Sequence, residues 1–161
     1  MDTYVISAFP GCGKTVAYFD LKDTIKVKDS DSSTFDKSEF PENYIKSIKE
    51  DIGKYDIIFV SSHQEVRDAL EKEKIPYILF FPSYSRRPEF MENYVRRRTS
   101  SELIKKIDSN FDKWIHDIEE EESDYCQRIR LGEPGQYITN EQHFVDLINH
   151  IINTKRENKE S

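Results

Sequence analysis

The sequence predicts an α/β domain built on a five-stranded, mainly parallel sheet. Three observations carry that prediction. A β-rich N-terminus runs directly into a glycine-rich phosphate-binding sequence and then a helix. Two continuous apolar runs, residues 57–60 and 77–81, suit strands covered on both faces. Segments of helical periodicity alternate with the strand-like ones, so successive strands are joined by crossovers and lie parallel. A chain of 161 residues fits one domain, long enough to bury about two-thirds of its unfolded surface.

Tyr4, Val5, Ile6 and Ser7 form the first strand, and residues 16–21 are compatible with a helix. Residues 24–28 alternate β-branched and polar side chains, predicting a second strand that ends in the polar loop from Asp29 to Ser33. Behind Pro41, a residue suited to a first helical turn, Tyr44, Ile45, Ile48 and Ile52 recur at helical spacing. The strand at 57–60 leads through Ser61, Ser62 and His63 into a helix marked by Val66, Ala69 and Leu70. The strand at 77–81 is stopped by Pro82.

The second half is more helical. Residues 88–98 place Phe90, Met91, Tyr94 and Val95 on one apolar face. After a polar break at 99–101, Leu103, Ile104, Ile107, Phe111, Trp114, Ile115 and Ile118 hold a period near 3.6, with Thr99 and Glu102 spaced as a capping box. The acidic run 119–122 reads as a solvated helix end. Residues 128–131 suggest a last strand, followed by a loop with Gly132, Pro134 and Gly135. Thr139 and Gln142 are placed to cap a final helix carrying Phe144, Leu147, Ile148, Ile151 and Ile152. One domain is expected over residues 1–153, with a frayed charged tail at 154–161.

The chemistry is concentrated at Ala8-Phe9-Pro10-Gly11-Cys12-Gly13-Lys14-Thr15. A loop that wraps a polyphosphate needs inward-facing backbone N–H groups, a lysine for the outer oxygens and a hydroxyl for magnesium. Pro10, Gly11, Cys12, Gly13, Lys14 and Thr15 supply these parts in order. The usual pattern begins with glycine. Here Ala8 holds that position, which requires an ordinary backbone conformation at the loop entry.

Bulk properties narrow the setting. Charged residues make up 34% of the chain and its net charge is −7, so it repels nucleic acid on average and must meet any polyanion at a local basic site. No stretch of about eighteen apolar residues occurs, so no membrane association is expected. The N-terminus lacks the pattern of a secretory signal. Cys12 and Cys126 offer neither a metal spacing nor a disulfide framework, and a reducing cytoplasm fits best.

Two further constellations bear on the reaction. Asp29 and Asp31 end the second strand, and side chains two apart on an extended segment share a side. One carboxylate suits a magnesium ion through its water shell, and the other suits an attacking hydroxyl; the alternative is a polar turn with both aspartates capping backbone groups. Residues 86–98 contain five arginines, Arg86, Arg87, Arg96, Arg97 and Arg98, in an otherwise acidic protein. This segment, 85–100, is a candidate lid that brings guanidinium groups to a phosphoryl group in transit. Adjacent helical positions lie about 100° apart, so only one or two face a given phosphate; the alternative is a solvated basic face paired with Glu89 and Glu92. His63, at the end of a buried strand, contacts an acceptor or caps the next helix. Arg67 lies on that helix. Tyr84 is a weaker acceptor contact, and Trp114 reads as packing.

The opening P-G-C-G-K-T resembles that of nucleoside monophosphate kinases, and Asp29-Ser30-Asp31 resembles the D-S-D of shikimate-kinase-type small kinases. The chain as a whole is similar to phage-encoded deoxynucleoside monophosphate kinase-like proteins through residues 29–33, 55–70 and the arginines near Arg96. The resemblance implies a three-layer P-loop fold with a helical lid, ATP and Mg2+ as cofactors, Thr15 and Asp29 at the metal, and Asp31 at the acceptor. From their positions along the chain, Lys14, Arg97 and Arg98 are expected at the transferred group, with His63, Arg67, Arg86 and Arg87 near the substrate. The D-G-F-P-R motif of adenylate-kinase-like enzymes is absent, and Ser61, Ser62, His63 and Arg67 occupy its place. The expected activity is an ATP-dependent kinase acting on a deoxynucleoside monophosphate. Alternatives are a kinase acting on a hydroxyl, in a modified base of DNA, a polynucleotide end or a small metabolite, and a nucleotide-binding switch without transfer.

Overall fold

The computed structural model describes residues 2–160. Five strands, β1 (Tyr4–Ala8), β2 (Val27–Asp29), β3 (Ile57–Ser61), β4 (Tyr77–Pro82) and β5 (Cys126–Leu131), form one sheet in the order β2-β3-β1-β4-β5. All four pairings are parallel, with Ile6 opposite both Phe59 and Ile78. Six helices connect or follow them: α1 (Lys14–Leu21), α2 (Glu42–Asp51), α3 (Gln64–Lys72), α4 (Arg87–Arg96), α5 (Ser101–Glu120) and α6 (Gln142–Glu160). Short 3-10 turns occupy Ser32–Thr34, Tyr84–Arg86 and Ile138–Asn140.

Alternate strand residues point to opposite faces, so burial of consecutive residues means that both faces are covered. Ile57, Ile58, Phe59 and Val60 are all fully buried, as are Ile6 and Ser7 in the neighbouring strand. Each such Ile, Val or Phe contributes roughly 1.5–3 kcal/mol relative to exposure. This core anchors β1 at the centre of the sheet, and parallel pairing brings the carboxyl ends of all five strands to one edge. The segment after β1 therefore lies between the ends of β3 and β4, where open parallel sheets place their ligands.

Several boundaries differ from those the sequence predicts. β2 starts at Val27 because Ile25 N still donates to Leu21 O at the end of α1, while Lys26 N donates to Asp56 Oδ2 at 2.8 Å. On α4 the inward pair is Phe90 and Tyr94, one turn apart, and Val95 is turned out to 65% exposure. Ser100, not Thr99, caps α5, its Oγ accepting from Leu103 N at 3.2 Å. Thr139 lies in a 3-10 turn, and Glu141 takes the capping role at α6 by accepting from Phe144 N and His143 N. Residues 154–160 continue α6, with Lys155 Nζ 2.8 Å from Asp56 Oδ2. Among the described residues, no helix is long and apolar enough to cross a membrane.

Candidate functional site

β1 delivers the glycine-rich loop to the sheet edge. Ala8 is its last residue and keeps an ordinary strand conformation, as its Cβ requires. Phe9 N donates to Phe80 O at 2.9 Å, and the chain then turns through Gly11 (φ +93°) and Gly13 (φ +101°). The loop is braced from behind. The Tyr94 hydroxyl donates to Pro10 O, Ile138 N donates to Cys12 O at 3.0 Å, and a Cβ at Gly11 would lie 2.9 Å from Tyr94 Cε1. Cys12 is buried beneath the loop, and that burial pushes its thiol far above the ordinary range. It contributes packing and backbone, not a reactive sulfur.

α1 begins at Lys14 without a side-chain cap, and its first hydrogen bond runs from Ala17 N to Gly13 O. The N–H groups of Lys14, Thr15 and Val16 thus belong to the open first turn, which carries the positive end of the helix dipole. Lys14 Nζ is 3.4 Å from Asp29 Oδ1, an oxygen that is buried and accepts no hydrogen bond. An ammonium and an under-coordinated carboxylate oxygen thereby meet at the sheet edge, with Thr15 next in sequence to the lysine. Among the described residues, no group of three or more His, Cys, Asp or Glu side chains forms a metal cage.

In front of the loop opens a cleft of about 870 Å³. Pro10, Gly11, Gly13, Lys14 and Thr15 line one side, Asp31 and His63 another, and Arg67, Arg97 and α5 complete it. The Thr34 hydroxyl donates to Asp31 O at 2.9 Å, holding the turn after β2. His63 occupies the first position before α3, makes no side-chain cap, and turns its ring to the cleft. His63 is solvent-exposed, yet partial desolvation of its ring, and then the positive charge of Lys106, lower its pKa below the usual histidine value, so its imidazole is neutral at pH 7.

The arginines part company. Arg97 lines the cleft, whereas Arg98, at φ +60° beyond α4, is exposed and does not. Arg96 pairs with Glu92 on the surface. Arg86 is only 2% exposed: it donates to Leu131 O, Gln136 O and Glu89, between the rings of Phe90 and Tyr137 at 5.0 and 4.9 Å. Arg87 donates to Asp108 on α5 at 2.9 Å. Arg86 and Arg87 are therefore framework groups outside the cleft, a correction to the substrate role expected for them. Arg67 does line the cleft, but its guanidinium is spent on Ser62 O, Gln64 Oε1 and Glu121. Glu121, with Glu119 paired to Arg130 at 2.8 Å, shows that the acidic run is used in ion pairs and is not merely solvated.

Three features of the site escape the sequence reading. Tyr44, fully buried, donates its hydroxyl to Ser30 O at 2.7 Å and accepts from Ser61 N at 3.1 Å, tying the ends of β2 and β3 together. Trp114 packs edge-on to Phe9 at 6.2 Å and also lines the cleft. Lys106, Lys113 and Asp117 lie along the same wall. Their signal was polar residues interleaved with the apolar stripe of one helix. Tyr84 is 41% exposed and lies outside the cleft lining. Compared with known proteins, the chain matches no protein-family model and no curated sequence.

Proposed function

We propose that this chain is an ATP-dependent phosphotransferase of the P-loop kinase type, acting in the cytoplasm on a nucleoside monophosphate. The observation that supports it most is the uncapped start of α1, with Lys14 and Thr15 at the mouth of a cleft that also holds Asp31 and Arg97. The strand order, with the loop after the central strand, is compatible with that fold. In this reading the first-turn amides of α1 and the Lys14 ammonium hold the β- and γ-phosphates of ATP. The bond from the γ-phosphorus to the bridging oxygen breaks, a bond to the acceptor oxygen forms, and ADP leaves.

Magnesium fits the residues present. The buried Asp29 Oδ1 accepts no hydrogen bond and lies 3.4 Å from the ammonium of Lys14, the residue before Thr15. Such ions are commonly held by one or two carboxylates together with phosphate oxygens, so a full protein cage is not needed. When bound, the ion would offset charge on the phosphate oxygens. Arg97 stabilises charge on the transferred group from the cleft side, and the braced loop keeps the amides in place.

A hydroxyl acceptor is the second reading. An ionised phosphate needs no general base and an alcohol does; Asp31 and the neutral His63 are proton acceptors facing the cleft. The experiment uses labelled ATP and magnesium with deoxynucleoside monophosphates, oligonucleotides carrying hydroxymethylated bases, and small alcohols. Label on a monophosphate supports the first reading. Label on a hydroxyl, abolished by Asp31→Asn, supports the second. ATP binding with transfer to none of these overturns both and leaves a nucleotide-binding switch.

A further inference from the structure

α5 carries a second set of groups whose arrangement is not explained by folding. Two of the cations lining the cleft are matched within the chain, Arg67 by Glu121 and Lys14 by Asp29. Lys106, Lys113 and Asp117 also face the cleft, yet among the described residues none of the three has an ion pair or side-chain hydrogen-bond partner. Lys113 and Asp117 are one turn apart and still do not pair. Beside them lies Trp114, half-buried, whose one ring partner among the described residues is Phe9, met edge-on at 6.2 Å and 66°. The contact is edge-to-face with a residue of the glycine-rich loop, and no ring stacks in parallel on the indole among the described residues.

Leu103, Ile107 and Ile118 continue the apolar part of this wall. Leu103 stays 47% exposed, as does Val16 at 51% on the facing edge of α1, so apolar surface is left open within the cleft. A half-buried indole on the cleft wall, flanked by apolar side chains, suits a planar aromatic ring, and unmatched ammonium groups suit an anion. A carboxylate accepts hydrogen bonds only, and its two oxygens match two N–H donors side by side. Guanine presents that pair at N1–H and N2–H, whereas adenine turns a lone pair toward the same position.

We propose that α5 is the base-recognition wall of the acceptor site: Trp114 stacks on the base, Asp117 reads an N–H edge with guanine preferred, and Lys106 and Lys113 hold the phosphate. This rests on the proposed phosphotransferase reading for its use, but not for the binding itself. The shared chemistry is a 5′-phosphorylated guanine nucleotide, either free or at the end of a single strand.

Trp114 is the one tryptophan of the chain, so its emission reports this site directly. The full chain is titrated, without ATP, with dGMP, dAMP, dCMP and dTMP, and with 5′-phosphorylated single-stranded oligonucleotides beginning in dG or dA. Saturable quenching by dGMP at least tenfold tighter than by dAMP is expected. Tighter quenching by the dG oligonucleotide than by dGMP would assign the site to strand ends, and the reverse to free nucleotide; both support the wall. Labelled dGMP measured by equilibrium dialysis should bind Trp114→Ala about tenfold or more weakly, with partial rescue in Trp114→Phe. Asp117→Asn should lose the preference for dGMP over dAMP while keeping its far-ultraviolet circular dichroism.

Absence of quenching by every nucleotide, equal affinity for all four bases, or unchanged preference in Asp117→Asn overturns the proposal. Labelled ATP binding to the unmodified chain is measured in parallel. ATP binding and transfer without dGMP recognition would sink only this inference, and dGMP recognition without ATP binding would sink only the phosphotransferase reading.

Discussion

Replacing Glu89 by Gln tests the framework that holds the glycine-rich loop in place. Glu89 accepts from the buried Arg86 guanidinium, from the Tyr137 hydroxyl, and from Gly135 N at 3.2 Å. Tyr137 in turn packs its Cβ 3.4 Å from where a side chain on Gly13 would begin, and Ile138 N bonds to Cys12 O. These bonds, the Arg86 pair foremost, hold the Glu89 carboxyl well down, from 4.5 to about 2. At about 1.4 kcal/mol per tenfold change in acidity, that displacement is worth on the order of 3 kcal/mol near neutral pH. The folded-state value lies below the unfolded one, so the contribution is complete above pH 4.5 and drains away as pH falls toward 2. At pH 3 roughly 1 kcal/mol of it remains. Gln keeps the shape and one acceptor but removes the charge, leaving Arg86 buried without its counterion. Urea unfolding of both proteins at pH 7, 5, 4 and 3 should show the variant less stable by about 2–3 kcal/mol at neutral pH, with the gap closing below pH 4.5. Equal stability at pH 7, or a gap that stays constant down to pH 3, would refute the assigned role.

Other positions yield sharper local outcomes. Gly11→Ala forces a side chain onto φ +93° and into Tyr94, so thermal unfolding should show a loss of roughly 2 kcal/mol or more, accompanied by weaker ATP binding. A fully stable variant would contradict the loop geometry. Tyr44→Phe leaves Ser30 O and Ser61 N without their shared partner, costing about 1–3 kcal/mol in denaturant titrations while unfolding stays cooperative. No loss would mean that the β2 and β3 ends are held otherwise. His63 should titrate below its ordinary value of 6.5 when its ring protons are followed by NMR. Since the folded chain then binds its proton less readily than the unfolded one, His63 subtracts stability as pH falls below 6.5. A midpoint above 6.5 would contradict the partial desolvation of the ring and the influence of the Lys106 charge.

The centre of the fold is legible because its signals are local. Residues 57–60 and 77–81 are apolar without interruption, a pattern suited to a doubly covered strand, and they are buried as β3 and β4, apart from the half-buried Ile78. Gly11 and Gly13 adopt the positive φ that the turn after β1 requires, and α1 opens at Lys14, all within a few residues. The arginines are less readable because their partners are remote. Arg86 and Arg97 look equivalent in a basic segment, yet Arg86 finds Glu89 one turn on and the carbonyls of Leu131 and Gln136, while Arg97 finds none of these and turns to the cleft. Tyr44 is hidden for the same reason: its apolar spacing marks it as core, and only tertiary structure reveals where its hydroxyl goes. Trp114 follows the helical period of a buried stripe, but α5 is wide enough to cover the core with Ile107, Phe111 and Ile115 and still present an edge to the cleft.

The central claim is that the loop after β1 binds the phosphates of ATP, and Lys14 tests it most directly. Equilibrium binding of labelled ATP with magnesium is compared between the unmodified chain and Lys14→Ala, whose fold should persist because Lys14 is partly exposed and, among the described residues, its one ion pair is with Asp29. The expected result is saturable binding by the unmodified chain, with affinity and any phosphoryl transfer reduced at least a hundredfold in Lys14→Ala. Equal ATP affinity in a folded Lys14→Ala variant would contradict the account.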